Sequence, residues 1–253
     1  MADALNSLRV RPRRIAVIGA GGHGRVVLDI LVQAGRYEVV AFLDSNKSLH
    51  GRRMDGIAVL GDMNTLPELR DQGIIDGAIV AIGDNGVRRS FADRVDQMGI
   101  PLVEAIHPSA NLARNVTLGR NVVVAAGALV CAHCQIGDSV ILNTGSIVDH
   151  ESMIGTAAHV CPGARLAGRV MVESGAFIGI GATVIQNIRI GCESVVGAGA
   201  VVIRDVPPMS TVVGVPARCV KDPAQANEWA DWLLPDFLRT RSASVRTPPR
   251  VTV

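Results

Sequence analysis

From Ile106 the chain repeats an aliphatic residue every six positions: Ile106, Leu112, Leu118, Val124, Val130, Ile136, Leu142, Val148 and Ile154. The series continues through Val160, Leu166, Val172, Ile178, Val184, Ile190, Val196 and Val202 with no slip in phase. Four residues after each comes a small or modest side chain, in a second series that opens with Ala110, Val116, Val122, Ala128 and Cys134. A helix repeats at about 3.6 and a strand at about 2, so neither alone explains a period of six. Short strands closed by corners do, three sides making one coil. The aliphatic residue lies inside and the small residue fills a tight position. Residues 106–207 then form about six coils, roughly 27 Å of strands stacked at ~4.8 Å. Each coil touches only its neighbours, so the ends need caps. Glycine recurs just after the aliphatic position, at Gly119, Gly137, Gly155, Gly179, Gly191 and Gly197. Glycines and asparagines are expected at the corners, where positive φ is tolerated.

A different pattern precedes the repeat. Arg14–Ile18 reads as a buried strand, followed by the loop Gly19-Ala20-Gly21-Gly22-His23-Gly24 and a helix from Arg25 that ends at Gly35. A second strand, Glu38–Leu43, ends at Asp44, 20 residues past Gly24. This is the arrangement of a dinucleotide-binding turn: a tight loop, a helix N-terminus facing phosphate, and an acid near a ribose. Further strands are predicted at Ala78–Ile82 and Leu102–Ile106, and a helix at Val87–Met98. Residues 14–105 therefore form a small parallel α/β domain. Its roughly 90 residues are too few for both halves of a dinucleotide fold, which argues for a mononucleotide or nucleotide-sugar over NAD.

Composition narrows the partners. The chain has 253 residues, 48 % of them apolar but only 3 % aromatic, with a formal net charge of +2. Near-neutral charge and few rings exclude a single-stranded nucleic-acid binder. Five Cys do not make a disulfide scaffold and suit a reducing cytosol. No apolar run reaches the ~18 residues of a membrane span. Residues 1–13 are basic, with no apolar stretch behind them, and read as a disordered leader.

Three histidines, His133, His150 and His159, lie in the repeat and none takes the inward slot. That predicts an outward, groove-facing role. Residues 18 apart stack on adjacent coils, so Glu151 has His133 above and Arg169 below, while His150 has only Ala132 and Gly168 as neighbours. Asn143 lies one side away. Cys131-Ala132-His133-Cys134 has redox or zinc spacing, yet on an extended strand the two thiols face opposite ways about 10 Å apart. Cys134 reads as the small inward slot and Cys131 as packing.

The hexad repeat and the end motif Gly214-Val215-Pro216-Ala217 resemble the left-handed parallel β-helix of hexapeptide-repeat acyltransferases. With the α/β domain in front, residues 14–221 resemble the sialic acid O-acetyltransferase-like sugar acyltransferases, and among them the bacterial N-acetyltransferases of nucleotide-linked 4-amino-sugars. The motifs that carry this are Gly19 to Arg25, Ala81-Ile82-Gly83-Asp84-Asn85, and Asn143 to Glu151. The resemblance implies a Rossmann-like nucleotide-sugar domain over 14–105 and an acetyltransferase β-helix over 106–221. It also implies a cytoplasmic homotrimer with active sites between subunits, serving glycan synthesis, with acetyl-CoA as cosubstrate and no metal. It makes His150 the general base, Glu151 its partner, and Gly168 the residue whose N–H faces the thioester carbonyl. Gly21, His23, Gly24, Asp44, Gly83, Asn85 and Asn143 would meet the sugar nucleotide. His159, Gly168, Ile180, Arg204 and Arg218 would meet the cofactor. Ser45 stands where relatives often carry a second acid, so base recognition is left to loops around Ser45–Arg53.

Several readings stay open in the sequence. N- and O-acetylation share His150; UDP, GDP and dTDP are not separated; a non-catalytic sugar-nucleotide sensor, or a zinc site built from histidines of two subunits, would use the same scaffold. Beyond Lys221 the resemblance stops. Residues 222–253 form a tail in which Trp229, Trp232, Leu233, Phe237 and Leu238 recur at near-helical spacing. A short amphipathic helix capping the last coil is expected there, in preference to a membrane-surface helix.

Overall fold

The computed structural model describes residues 12–221. The expected capping helix and most of the basic leader lie outside the described residues.

The α/β part runs β1 (Arg13–Ile18), α1 (Gly22–Ala34), β2 (Tyr37–Leu43), β3 (Arg53–Met54), β4 (Ile57–Ala58), α2 (Leu66–Asp71), β5 (Gly77–Val80) and α3 (Asn85–Gln97). The three long strands form one sheet in the order β2-β1-β5, parallel throughout. Their side chains alternate between two apolar layers. Ile15, Val17 and Phe42 pack with Val27 and Leu31 of α1, while Ala16, Ile18 and Val80 pack with Ala92 and Val95 of α3. Helix α1 begins inside the glycine run, three residues before the expected start. It stops where Gly35 turns left-handed (φ 64) and its N–H bonds Leu31 O. The small β3–β4 hairpin and α2 carry too short a pattern to be read from sequence.

One expectation is corrected. Leu102–Ile106 is not a strand of this sheet: Leu102 makes only an isolated bridge to Ala78. Ala105–Ile106 instead opens the repeat, Ala105 N–H donating to Val122 O at 2.9 Å.

From there the chain winds a three-sided parallel β-solenoid of about six turns. Its first face begins with Ala105–Ile106, its second with Asn111–Leu112 and its third with Thr117–Leu118, and these sheets hold eight, six and five strands. The six-residue series and its small companions fill the prism as one apolar cluster. Glycine serves two separate purposes here. Left-handed residues sit three positions after the aliphatic one, and many are not glycine: Asn121 (φ 58), His133 (φ 62), Glu151 (φ 57) and Arg169 (φ 57). The glycines directly after the aliphatic residue are needed for close approach instead. A Cβ on Gly155 would lie 2.6 Å from Ser174 N, and one on Gly179 2.6 Å from Val196 O.

The α/β domain covers the first face. Val123, Ala125 and Ile141 of that face join the α1-side apolar layer. The corner between the third and first faces is tied to it by polar bonds. Val80 N–H donates to Asn121 Oδ1 (2.7 Å), and Asn85 Nδ2–H donates to Gly175 O (2.9 Å). In a triangular cross-section the corner between the second and third faces is then opposite the covered face.

Candidate functional site

The first component is a cleft of about 580 Å³ at the carboxyl ends of β1, β2 and β5, where an α/β sheet with this strand order places its ligands. Gly21, His23, Asp44 and Gly83, which the resemblance assigned to the sugar nucleotide, line it. The loop needs its glycines. Gly19 has φ 106 and a Cβ there would meet Ala81 O at 2.7 Å, while a Cβ on Gly24 would collide with the Gly19 carbonyl. Gly24 therefore packs the helix onto the loop and does not itself line the cleft. The first α1 bond runs from Arg25 N–H to Gly21 O, so the N–H groups of the preceding turn are free of helical acceptors. With no acid in that turn, the helix start favours an anion.

Asp44 braces this loop. Its Oδ2 accepts from Ala20 N–H and its Oδ1 from Asn46 N–H, both at 2.8 Å. Asn85 departs from its expected role: its amide donates to Gly175 O and Ala176 O, and its Oδ1 accepts from Arg88 Nη2–H (2.9 Å). It clamps the two domains together and is not among the cleft residues.

His23 and His159, assigned by resemblance to opposite substrates, are neighbours. His159 does point out of the prism, but it stands in no open groove. It is only 8 % exposed, set edge-on to Phe177 with ring centroids 5.3 Å apart. Burial, then the Arg88 charge, then His23 hold its pKa well below the ordinary value. As a neutral ring it accepts at Nε2 from Asn143 Nδ2–H (3.1 Å), and the Asn143 Oδ1 accepts from Thr144 N–H (2.8 Å). Asn143 is thereby fixed in one orientation. Burial first, and Arg88 second, lower the His23 pKa to about 4, and its Nε2 is buried without a protein partner.

This fixes a pH dependence. Unfolded His23 titrates near 6.5 and folded His23 near 4. Its contribution, about 3 kcal/mol, is complete above the unfolded value and is lost as the pH falls towards the folded one. Urea unfolding between pH 7 and 4.5 is expected to show stability falling with pH, with a shallower slope in His23→Gln. An unchanged slope in the variant would count against a buried neutral His23.

The second component lies on the far corner. His150 is half exposed, its backbone N–H donating to Asp149 Oδ1 (2.7 Å) and its carbonyl accepting from Arg169 N–H (2.8 Å). Its ring lies across Gly168, where a Cβ would be 2.5 Å from Nε2. The room that Gly168, lacking a side chain, leaves below His150 is thus occupied by the imidazole itself. Nδ1 is 3.5 Å from Glu151 Oε2, and Arg169 Nη1 is 3.4 Å from the same oxygen. Arg169 is held in turn by Nε–H donating to Asn187 Oδ1 (2.8 Å). With Nδ1 turned to the carboxylate, Nε2 is the nitrogen available to a substrate. Among the described residues the Gly168 N–H has no acceptor.

Arg204 continues the His150 column three coils on. Ile180 is 61 % exposed but stands on the corner between the first and second faces. Arg218 is on the closing antiparallel strand Arg218–Lys221, its guanidinium donating to Ala217 O. One chain does not bring these residues together. Cys134 is buried in the prism core, as the inward slot predicted, and Cys131 is part exposed. The two flank a corner turn with His133 at φ 62, not an extended strand, so the expected separation on opposite strand faces does not apply. Among the described residues no group of three or more His, Cys, Asp or Glu could hold a metal ion, and no helix is long and apolar enough to cross a membrane.

Two features escaped the sequence. Arg88 is completely buried with its donors spread over carbonyls of both domains. The cleft is also walled by Asp62, Asn64, Phe91 and Arg94. No local motif announces either.

Comparison with known proteins follows the same two-part division. Residues 14–95 match the PglD N-terminal domain. A curated relative, UDP-N-acetylbacillosamine N-acetyltransferase of Bacillus subtilis (strain 168), is 34 % identical over 115 residues, 45 % of this chain. The match spans about half of that relative's length, 52 %. Among solved structures, a histidine-to-asparagine variant of perosamine N-acetyltransferase from Caulobacter crescentus, in complex with CoA and GDP-perosamine, is 42 % identical. The match covers 82 % of this chain and 97 % of that one, with a TM-score of 0.79. The acetyltransferase domain of PglB from Neisseria gonorrhoeae, in complex with acetyl coenzyme A, is 36 % identical over 83 % of this chain and 100 % of that one, TM-score 0.76.

Proposed function

The chain belongs to the hexapeptide-repeat nucleotide-sugar N-acetyltransferases, and from that premise we propose that it transfers the acetyl group of acetyl-CoA to the 4-amino group of a nucleotide-linked amino-deoxy-sugar. The observation that carries this reading is the His150 corner. An imidazole backed by Glu151 presents Nε2 beside the free N–H of Gly168. Acetyl transfer to an amine needs a base for the nitrogen's proton and a donor for the carbonyl oxygen as it gains charge. In the proposed direct transfer the neutral amine attacks the thioester carbon, and His150 Nε2 takes the proton that the nitrogen loses. Gly168 N–H stabilises the oxygen, and the C–S bond breaks to release CoA as thiolate. Glu151 steadies the imidazolium through Nδ1. No cysteine is asked to form a covalent intermediate.

Geometry also supports an assembly. The nucleotide cleft belongs to the domain on the first face, and His150 stands on the opposite corner. A single chain cannot present the sugar to its own base, so the reading requires the cleft of one copy to face the corner of another, as in a homotrimer. The reading places this reaction in the cytoplasm. Its test is release of CoA thiol from acetyl-CoA in the presence of UDP-, dTDP- and GDP-linked 4-amino-sugars and of free sialic acid. Turnover with at least one 4-amino-sugar is expected; turnover with sialic acid alone would replace amine transfer by hydroxyl transfer.

A further inference from the structure

The cleft has two chemically different ends, and only one is used by the reading above. The glycine loop, the start of α1 and Gly83 offer backbone N–H groups and suit a diphosphate. The other end is built by Asp62 and Asn64, between β4 and α2, and by Phe91 and Arg94 on α3. Arg94 lies nine residues into α3, about 14 Å along its axis from the end nearest Gly83. It crosses the slot: its guanidinium carbon is 5.7 Å from the centre of the Phe91 ring, and Nη2–H donates to Asn64 Oδ1 at 3.3 Å. Asp62 is fixed from the other side, Oδ1 accepting from Asn64 N–H at 2.8 Å. Its Oδ2 makes no hydrogen bond among the described residues.

We propose that this end reads a guanine base, with Asp62 and Arg94 as the specificity-determining pair, so that the nucleotide carrier is guanosine diphosphate. The proposal rests on the acetyltransferase reading for the sugar but on its own residues for the base. Guanine presents two adjacent N–H donors, at N1 and N2, and on its other side the acceptors O6 and N7. A carboxylate matches the first edge and a guanidinium the second. Uracil and thymine set a single N–H between two carbonyl oxygens, so the Asp62 carboxylate that took that N–H would face a carbonyl on either side. Phe91, packed against the α3-side apolar layer, lies under the Arg94 guanidinium and positions it in the slot. The base site thus shifts from the Ser45–Arg53 loop, where the sequence pointed, to the neighbouring segment at Asp62, where Gly61 O accepts from Asp44 N–H at 2.8 Å, and to α3.

The test compares kcat/KM for GDP-, UDP- and dTDP-linked forms of one 4-amino-sugar in the native protein, Asp62→Asn and Arg94→Gln. It also measures GDP and UDP binding by calorimetry. Asparagine preserves the bond to Asn64 N–H, so folding is not at issue. The GDP form is expected to be preferred, and each variant to lose about 10- to 100-fold on it through KM, with kcat and the UDP form little changed. Equal use of UDP or dTDP forms, or a uniform loss across all three in Asp62→Asn, would overturn the base assignment. If no sugar nucleotide is acetylated, the acetyltransferase reading fails alone: tighter binding of GDP than UDP, weakened in Asp62→Asn, would still uphold the base site.

Discussion

Replacing His150 by alanine is expected to lower acetyl transfer by about 10²- to 10⁴-fold, the range a positioned general base contributes. The loss should fall on kcat, because in the proposed mechanism His150 moves a proton and holds no part of the nucleotide. The side chain is half exposed on a corner whose backbone bonds, His150 O to Arg169 N–H and Glu151 N–H to Ala132 O, do not involve the imidazole. The solenoid should therefore keep its thermal stability and its assembly. Gly168→Ala is a milder companion. Its Cβ would sit 2.5 Å from Nε2, so the ring must swing away from the nitrogen's approach line. Displacements of that size cost up to about 100-fold in rate while leaving the base in place. Stopped-flow or thiol-release assays at saturating nucleotide-sugar separate the two. Near-native turnover in His150→Ala would remove His150 from the mechanism.

What the sequence disclosed depends on how local the cause is. The aliphatic hexads were legible because each one meets the same surroundings, so the pattern carries the coil, its three sides and the stacking register. His150 over Gly168 followed from that register alone. The glycines that directly follow six of the aliphatic positions were visible but their reason was not. They admit a neighbouring coil's backbone, whereas the strained φ angles fall two residues later on Glu151, Arg169 and similar polar residues. His159 was recognised as out of phase with the core, yet nothing nearby in sequence shows that a second domain covers it. Asn85 sits in a motif that reads as ligand-binding and is consumed by contacts about ninety residues away. The cleft also gathers Asp62, Asn64, Phe91 and Arg94 from two segments with no shared motif.

Arg88 is the extreme case, and it supports the second large prediction. Its Nε–H donates to Ser139 O (2.7 Å), Nη1 to Ile82 O and Gly83 O (both 3.0 Å), and Nη2 to Asn85 Oδ1 (2.9 Å) and Ala157 O (2.8 Å). One guanidinium thus joins a cleft turn to two successive coils. Burial pushes its pKa down to about 10, opposed by Asp84, so it stays charged at neutral pH. Methionine replaces the unbranched stem but not the guanidinium and leaves these carbonyls buried without donors, each a penalty of about 1–3 kcal/mol. Because water and relaxation recover part of that, Arg88→Met is expected to destabilise the protein by about 3–5 kcal/mol, the cost of breaking a buried charged network. Lysine should rescue little, since one ammonium cannot span acceptors arranged for a planar fork. The solenoid core does not contain Arg88, so the variant should unfold in two steps, the α/β domain first, by circular dichroism on heating. Its KM for the nucleotide-sugar should rise, because Ile82 and Gly83 shape the cleft, while acetyl-CoA binding at the far corner is preserved. Arg88 also helps to depress the His23 and His159 pKa values, so both rings should titrate at higher pH in the variant. A single transition at the native temperature, with an unchanged KM, would mean that the two domains are held together by something other than this arginine.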